Sequence, residues 1–77
     1  MTFSVDENKD EFIKHTLNAV YEALKQKGYN PINQIVGYIL SQDPTYITTF
    51  NNARNLICKI DRDDLLKVLV QNFLNIN

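Results

Sequence analysis

Apolar residues fall at intervals of three and four from about residue 7 to Lys27, where Phe12, Ile13, Leu17, Val20, Tyr21 and Leu24 mark one side of an amphipathic helix. The acidic residues Asp6, Glu7, Asp10 and Glu11 suit the positive end of its macrodipole, and Gly28 offers the left-handed residue that ends it. At about 100° per residue, the arc from Ala19 through Phe12, Ala23, Thr16, Val20, Ile13, Leu24 and Leu17 to Tyr21 is expected to be buried. The Ala19/Ala23 edge leaves room for a neighbouring helix. The opposite face, with Lys14, His15, Asn18, Glu22, Lys25 and Gln26, is mixed in sign and expected to be wet.

Asn30-Pro31 is a helix start: asparagine caps free backbone amides, and proline at the first position loses no hydrogen bond. Ile32, Ile35, Val36, Ile39 and Leu40 then share an arc, which predicts a short, deeply packed second helix ending near Ser41. Gly37 lies off that arc, where a neighbouring backbone has room to approach. Asp43-Pro44 repeats the cap-plus-proline pattern and predicts one helical turn over residues 43–48, with Tyr46 and Ile47 pointing into the core. Residues 51–58 read as a brief helix whose apolar members, Ala53, Leu56 and Ile57, continue to Ile60, and whose polar side is mostly asparagine.

Asp61 is expected to cap a last helix, with Asp63 and Asp64 in its first turn where negative charge is favoured. Its pattern is broad. Leu65, Leu66, Val68, Leu69, Val70, Phe73, Leu74 and Ile76 cover roughly two thirds of the circumference, where one stripe against a small bundle needs little more than about 100°. A second surface must cover the rest, and a twofold partner is the economical one, with Leu65, Leu66, Leu69, Val70, Phe73 and Leu74 as its interface. The alternative places this helix at the centre of its own chain, enclosed on all sides.

At 77 residues the chain has room for one core, and 44% hydrophobic residues with only two glycines and two prolines mark it as globular. A formal charge of −1 gives no field to gather polyanions, so nucleic acid is not expected as a partner. The lone Cys58 makes no internal disulfide, which fits a reducing cytoplasm. The N-terminal residues lack a basic region followed by an apolar run, and no stretch approaches the ~18 apolar residues of a membrane span, so the protein is expected to be neither exported nor inserted.

Chemistry-bearing constellations are few. His15, the only histidine, sits on the wet face of the first helix with Glu11 and Glu22 and no nucleophile. Cys58, with Arg54 and Lys59 nearby, reads as an inert buried thiol. Asp61, Asp63 and Asp64 lack the glycine and distant glutamate of a calcium loop. Neither isolated glycine belongs to a phosphate-cradling loop, so no enzyme, cofactor or metal is expected. The tight Asp43-Pro44 turn before residues 51–60 also allows a helix-turn-helix reading with Asn51, Asn52, Arg54 and Asn55 as base readers, although basic residues for phosphate contact are sparse.

The run from Gly28 to Ser41, GYNPINQIVGYILS, resembles the hallmark segment of the IreB family, small cytoplasmic proteins of Gram-positive bacteria of low genomic GC content. Thr16 to Tyr21, Asp43 to Ile47 and Asn52 to Ile57 extend the likeness over about residues 16–70. The resemblance implies an all-helical homodimer with a disordered N-terminal tail, phosphorylated on threonine by a membrane-anchored serine/threonine kinase that responds to cell-wall stress. It further implies a negative regulator of intrinsic cephalosporin resistance. Members of the family are often encoded beside a Holliday-junction-resolvase-like nuclease, which implies a nucleic-acid-associated accessory role as a second reading. The family's tail threonines, upstream of a phenylalanine resembling Phe3, correspond here to Thr2 first and Ser4 second. Gln42 replaces a glycine of the family pattern, and Thr48-Thr49-Phe50 replaces a more basic stretch.

The sequence therefore predicts an all-α fold, a small bundle of four to five helices intertwined or packed as a homodimer, with residues 1–5 a flexible tail and 6–77 a single helical domain. Phosphorylation at Thr2, close to Asp6 and Glu7, is expected to keep the tail extended without unfolding the helices. The expected partners are a second copy, a serine/threonine kinase and a protein target, with no membrane.

Overall fold

A computed structural model of the chain describes the backbone of residues 4–76 and the side chains of residues 9–76. Every regular element among these residues is helical: α1 (Ser4–Gln26), α2 (Pro31–Ser41), α3 (Ala53–Cys58) and α4 (Arg62–Leu74), with 3-10 turns at Pro44–Tyr46 and Phe50–Asn52. The helix α1 starts at Ser4, ahead of the expected residue 7, so Ser4 and Val5 carry helical backbone.

Gly28 ends the α1 segment as its sequence position requires, at φ 85°, while the Tyr29 amide donates back to the Leu24 carbonyl at 3.0 Å. Asn30 then caps α2, its Oδ1 accepting from the Asn33 amide at 3.1 Å, with Pro31 at the first position. Asp43 caps the next turn in the same way, accepting from the Thr45 amide at 3.0 Å and the Thr45 hydroxyl at 2.7 Å. At the start of α4 the expectation holds only for the backbone. Asp61 occupies the cap position with extended φ/ψ, but its side chain makes no capping bond.

Helix α1 is the spine, packing against α2, α3 and α4. Its buried side is Ile13, Thr16, Val20, Ala23 and Leu24, joined in the core by Ile47, Ala53, Ile57, Ile60, Leu65 and Val68. The arc is narrower than its sequence pattern predicted, because Phe12, Ala19 and Tyr21 remain exposed. Since α1 holds the centre, α4 is a flanking helix, and the alternative of an α4 enclosed by its own chain is not realised.

The segment between α2 and α3 is held by main-chain carbonyls. Gln34 Nε2 donates to the Tyr46 carbonyl at 3.0 Å and Arg54 Nε to the Ile47 carbonyl at 2.9 Å. Ile47 is fully buried as expected, whereas Tyr46 stays part-exposed and lays its ring over Gly37. The neighbour that Gly37 admits is therefore an aromatic ring and not a backbone. Asn51 and Asn52, expected inside a helix, both take left-handed φ, at 53° and 65°, and α3 begins only after them. Asparagine tolerates that region better than other non-glycine residues, which explains the asparagine-rich run.

Candidate interaction surface

Helix α2 carries no charged residue, and the structure buries none of its side chains fully. This corrects the expectation of deep packing. The helix is fastened on one side only: Gly37 sits under Tyr46, and Gln34 reaches the Tyr46 carbonyl. Ile35 and Ile39 are half-buried against the core, and the next positions round the helix, Ile32, Val36 and Leu40, face outward, with Ile32 61% and Leu40 78% exposed.

The far end of α2 is tied to α4. Gln42 adopts left-handed φ 61° and closes the helix by donating its amide to the Tyr38 carbonyl at 2.7 Å. Arg62 Nη1 donates to the Ile39 carbonyl at 2.9 Å. With the Gln42 amide oriented oxygen-inward, its Oε1 accepts from Arg62 Nη1 and Nη2 at 3.0 and 2.9 Å. A guanidinium at the negative end of α2 also suits the helix macrodipole. This latch fixes the spacing of α2 and α4 and so the width of the groove between them.

That groove encloses about 420 Å³ and is lined by Leu17, Asn18 and Tyr21 of α1, Ile32, Ile35, Val36 and Ile39 of α2, and Leu69 of α4. None of these side chains is charged. On α4, Leu66 and Phe73 lie three residues before and four after Leu69 and share its face, and Val70 and Leu74 continue that face outward. All four are exposed, Phe73 to 89%. The two open apolar faces thus flank one continuous groove.

Of the residues expected to meet a partner, Leu66, Val70, Phe73 and Leu74 are available, and Leu69 lines the groove. Leu65 is not available: at 0% exposed it belongs to the subunit's own core, and it leaves the candidate set. Of the two modification candidates, Ser4 is the first residue of α1, and Thr2 lies outside the described residues. The surface residues that sequence reasoning missed are Ile32, Val36, Leu40 and Tyr21. The available signal was an eleven-residue helix without a charge in a chain too short to enclose it.

The remaining polar candidates are committed to structure or sit apart. Asn55 Nδ2 donates to Asn52 Oδ1 at 2.8 Å, Arg54 is turned onto the Ile47 carbonyl, and α3 is six residues long, so the proposed base readers do not line one helix face. Cys58 is exposed, contrary to the buried reading. Burial, and after it the neighbouring Cys58, raises the Tyr38 hydroxyl above its ordinary value. Among the described residues no three His, Cys, Asp or Glu side chains gather to hold a metal, and no helix is long and apolar enough to cross a membrane. His15 pairs loosely with Glu11 at 3.9 Å on the open face of α1.

Comparison with protein families returns a match over residues 1–75 to the family model described as IreB regulatory phosphoprotein.

Proposed function

The chain belongs to the IreB family of regulatory phosphoproteins, and on that premise we propose that it is a non-catalytic cytoplasmic regulator that works by binding other proteins. Its associating surface is the uncharged apolar face of α4, used first to form a homodimer. Its modifiable element is the N-terminal segment, phosphorylated at Thr2 or Ser4 by a serine/threonine kinase in cell-wall stress signalling, where the protein restrains cephalosporin resistance. The family match supports the regulatory part of this reading, and the exposure of Leu66, Val70, Phe73 and Leu74 supports the association part.

The chemistry of such a switch is direct. A phosphate adds about −1.5 to −2 charges and strong acceptor oxygens. At Ser4 it would stand at the positive end of α1, which favours it, with Asp6 and Glu7 following in sequence and opposing it. The first core position among the described residues is Ile13, nine residues after Ser4 in sequence, so the helical subunit should persist whichever balance holds. Incubation of the purified protein with the kinase of its own cell, followed by mass spectrometry, should find one phosphate on Thr2 or Ser4. An unmodified segment, together with unchanged cephalosporin sensitivity in a strain carrying Thr2→Ala and Ser4→Ala, would remove the kinase from the account.

A further inference from the structure

We propose that Thr49, in the segment between α2 and α3, is a phosphoacceptor in its own right, and that Lys27 at the end of α1 receives its phosphate. This rests on the kinase reading above and places a further modifiable hydroxyl on the folded subunit, away from the N-terminal segment.

Elimination carries the first part. Residues 9–76 hold five serine and threonine side chains: Thr16, Ser41, Thr45, Thr48 and Thr49. Thr16 is buried in the core. The Ser41 hydroxyl donates to the Gly37 carbonyl at 2.7 Å and accepts from the Asp43 amide at 3.0 Å. The Thr45 hydroxyl donates to Asp43 Oδ1 at 2.7 Å, and Thr48 Oγ1 accepts from the Phe50 amide at 3.2 Å. Thr49 alone of the five is exposed with its hydroxyl in no hydrogen bond. Its backbone is pinned on both sides, by the fully buried Ile47, whose carbonyl accepts from Arg54 Nε at 2.9 Å, and by the Asn52 amide, which donates to the Thr49 carbonyl at 3.0 Å. The segment thus presents one uncommitted hydroxyl to solvent at a fixed place. A kinase acting there transfers the terminal phosphoryl group of ATP: the bond from the γ-phosphorus to the ADP oxygen breaks, the bond from Oγ1 to phosphorus forms, the hydroxyl proton passes to the kinase's carboxylate base, and ADP leaves.

Charge carries the second part. From Pro44 to Ile60 the chain has two charged residues, Arg54 and Lys59, and both are basic. The nearest acid before Thr49 in sequence, Asp43, is six residues away and engaged by Thr45. On the adjacent residue, the Lys27 ammonium stands 5.2 Å from the centroid of the Phe50 ring. A phosphate of about −1.5 to −2 charges on Thr49 therefore meets cations in its own segment, the reverse of Ser4 with Asp6 and Glu7 following it. Moving Lys27 from the ring face to the phosphate exchanges a cation–π contact for a charge-assisted pair and ties the end of α1 to the segment before α3.

The test uses three full-length chains: wild type, Thr2→Ala with Ser4→Ala, and that double variant with Thr49→Val added. Each is incubated with ATP and the serine/threonine kinase of the protein's own cell and then fragmented in a mass spectrometer, with helical circular dichroism as the check on folding. The proposal expects one phosphate on the double variant, at Thr49, and none on the triple variant. Phosphate on Thr2 or Ser4 of wild type, with none on Thr49 in any chain, would overturn the Thr49 site and leave the kinase reading standing. A wild-type chain that takes up no phosphate would overturn both. Phosphorylation of the double variant should raise Tm by about 2–4 °C, and Lys27→Ala in the same background should abolish that rise. No rise, or an equal rise without Lys27, would overturn its part as the receiving cation.

Discussion

The ring of Tyr46 lies so close over Gly37 that a Cβ there would fall 2.5 Å from its Cε1 and 2.6 Å from its Cδ1. Glycine inside α2 costs about 1 kcal/mol of helix propensity against alanine, yet alanine must displace the ring that holds the turn after α2. Gly37→Ala is therefore expected to lower unfolding free energy by about 1 kcal/mol in chemical denaturation. In a Tyr46→Ala background the sign reverses, and Gly37→Ala becomes stabilising by about 1 kcal/mol. A double-mutant cycle reads the coupling directly.

Arg62 is the latch between α4 and the end of α2, through the Ile39 carbonyl and Gln42. Arg62→Ala removes charge-assisted hydrogen bonds at an exposed site, for an expected loss of about 1 kcal/mol. Arg62→Lys should recover little, because an ammonium lacks the fork that spans Nη1 and Nη2. Faster amide exchange over the last turn of α2, at Tyr38 to Gln42, is the local signature to measure.

Leu65 and Phe73 sit two turns apart on one helix and do opposite things. Leu65 is fully buried, so Leu65→Ala should lower stability by about 2–5 kcal/mol at every protein concentration. Phe73 touches little within its own subunit, so Phe73→Ala should keep the helical content and instead flatten the dependence of Tm on protein concentration.

Asp43 gives a pH dependence whose sign follows from its partners. Hydrogen bonds from the Thr45 hydroxyl and then the Thr45 amide hold its carboxyl below the ordinary carboxylate value of 3.8. A depressed folded-state pKa contributes stability that is present above the unfolded value and lost as pH falls through the folded one. Between pH 5 and pH 2 wild type should thus lose more Tm than Asp43→Asn, while the two run parallel above pH 5. The site is open to solvent, so the difference is expected to shrink with added salt.

The local grammar of this chain was readable and its long-range packing was not. Asn30-Pro31, Gly28 and Asp43-Pro44 act on neighbours within four residues, and each takes the role its sequence assigns. Asn51 and Asn52 misled because left-handed backbone and helical backbone leave the same polar residues in the string. The apolar arc of α2 is legible as an arc but not as exposed, since burial depends on what stands opposite, and Ile32, Val36 and Leu40 stay exposed among the described residues. For α4 the breadth of the pattern matches the exposure of Leu66, Val70, Phe73 and Leu74, while Leu65, at the inner edge, is part of the subunit's own core.

Light scattering of the wild-type chain across a range of micromolar concentrations bears most directly on the claim that this protein works by association. The account expects twice the 9.0 kDa of a single chain, falling toward one chain on dilution. A mass of one chain throughout that range, with the apolar faces of α2 and α4 left in water, would contradict it.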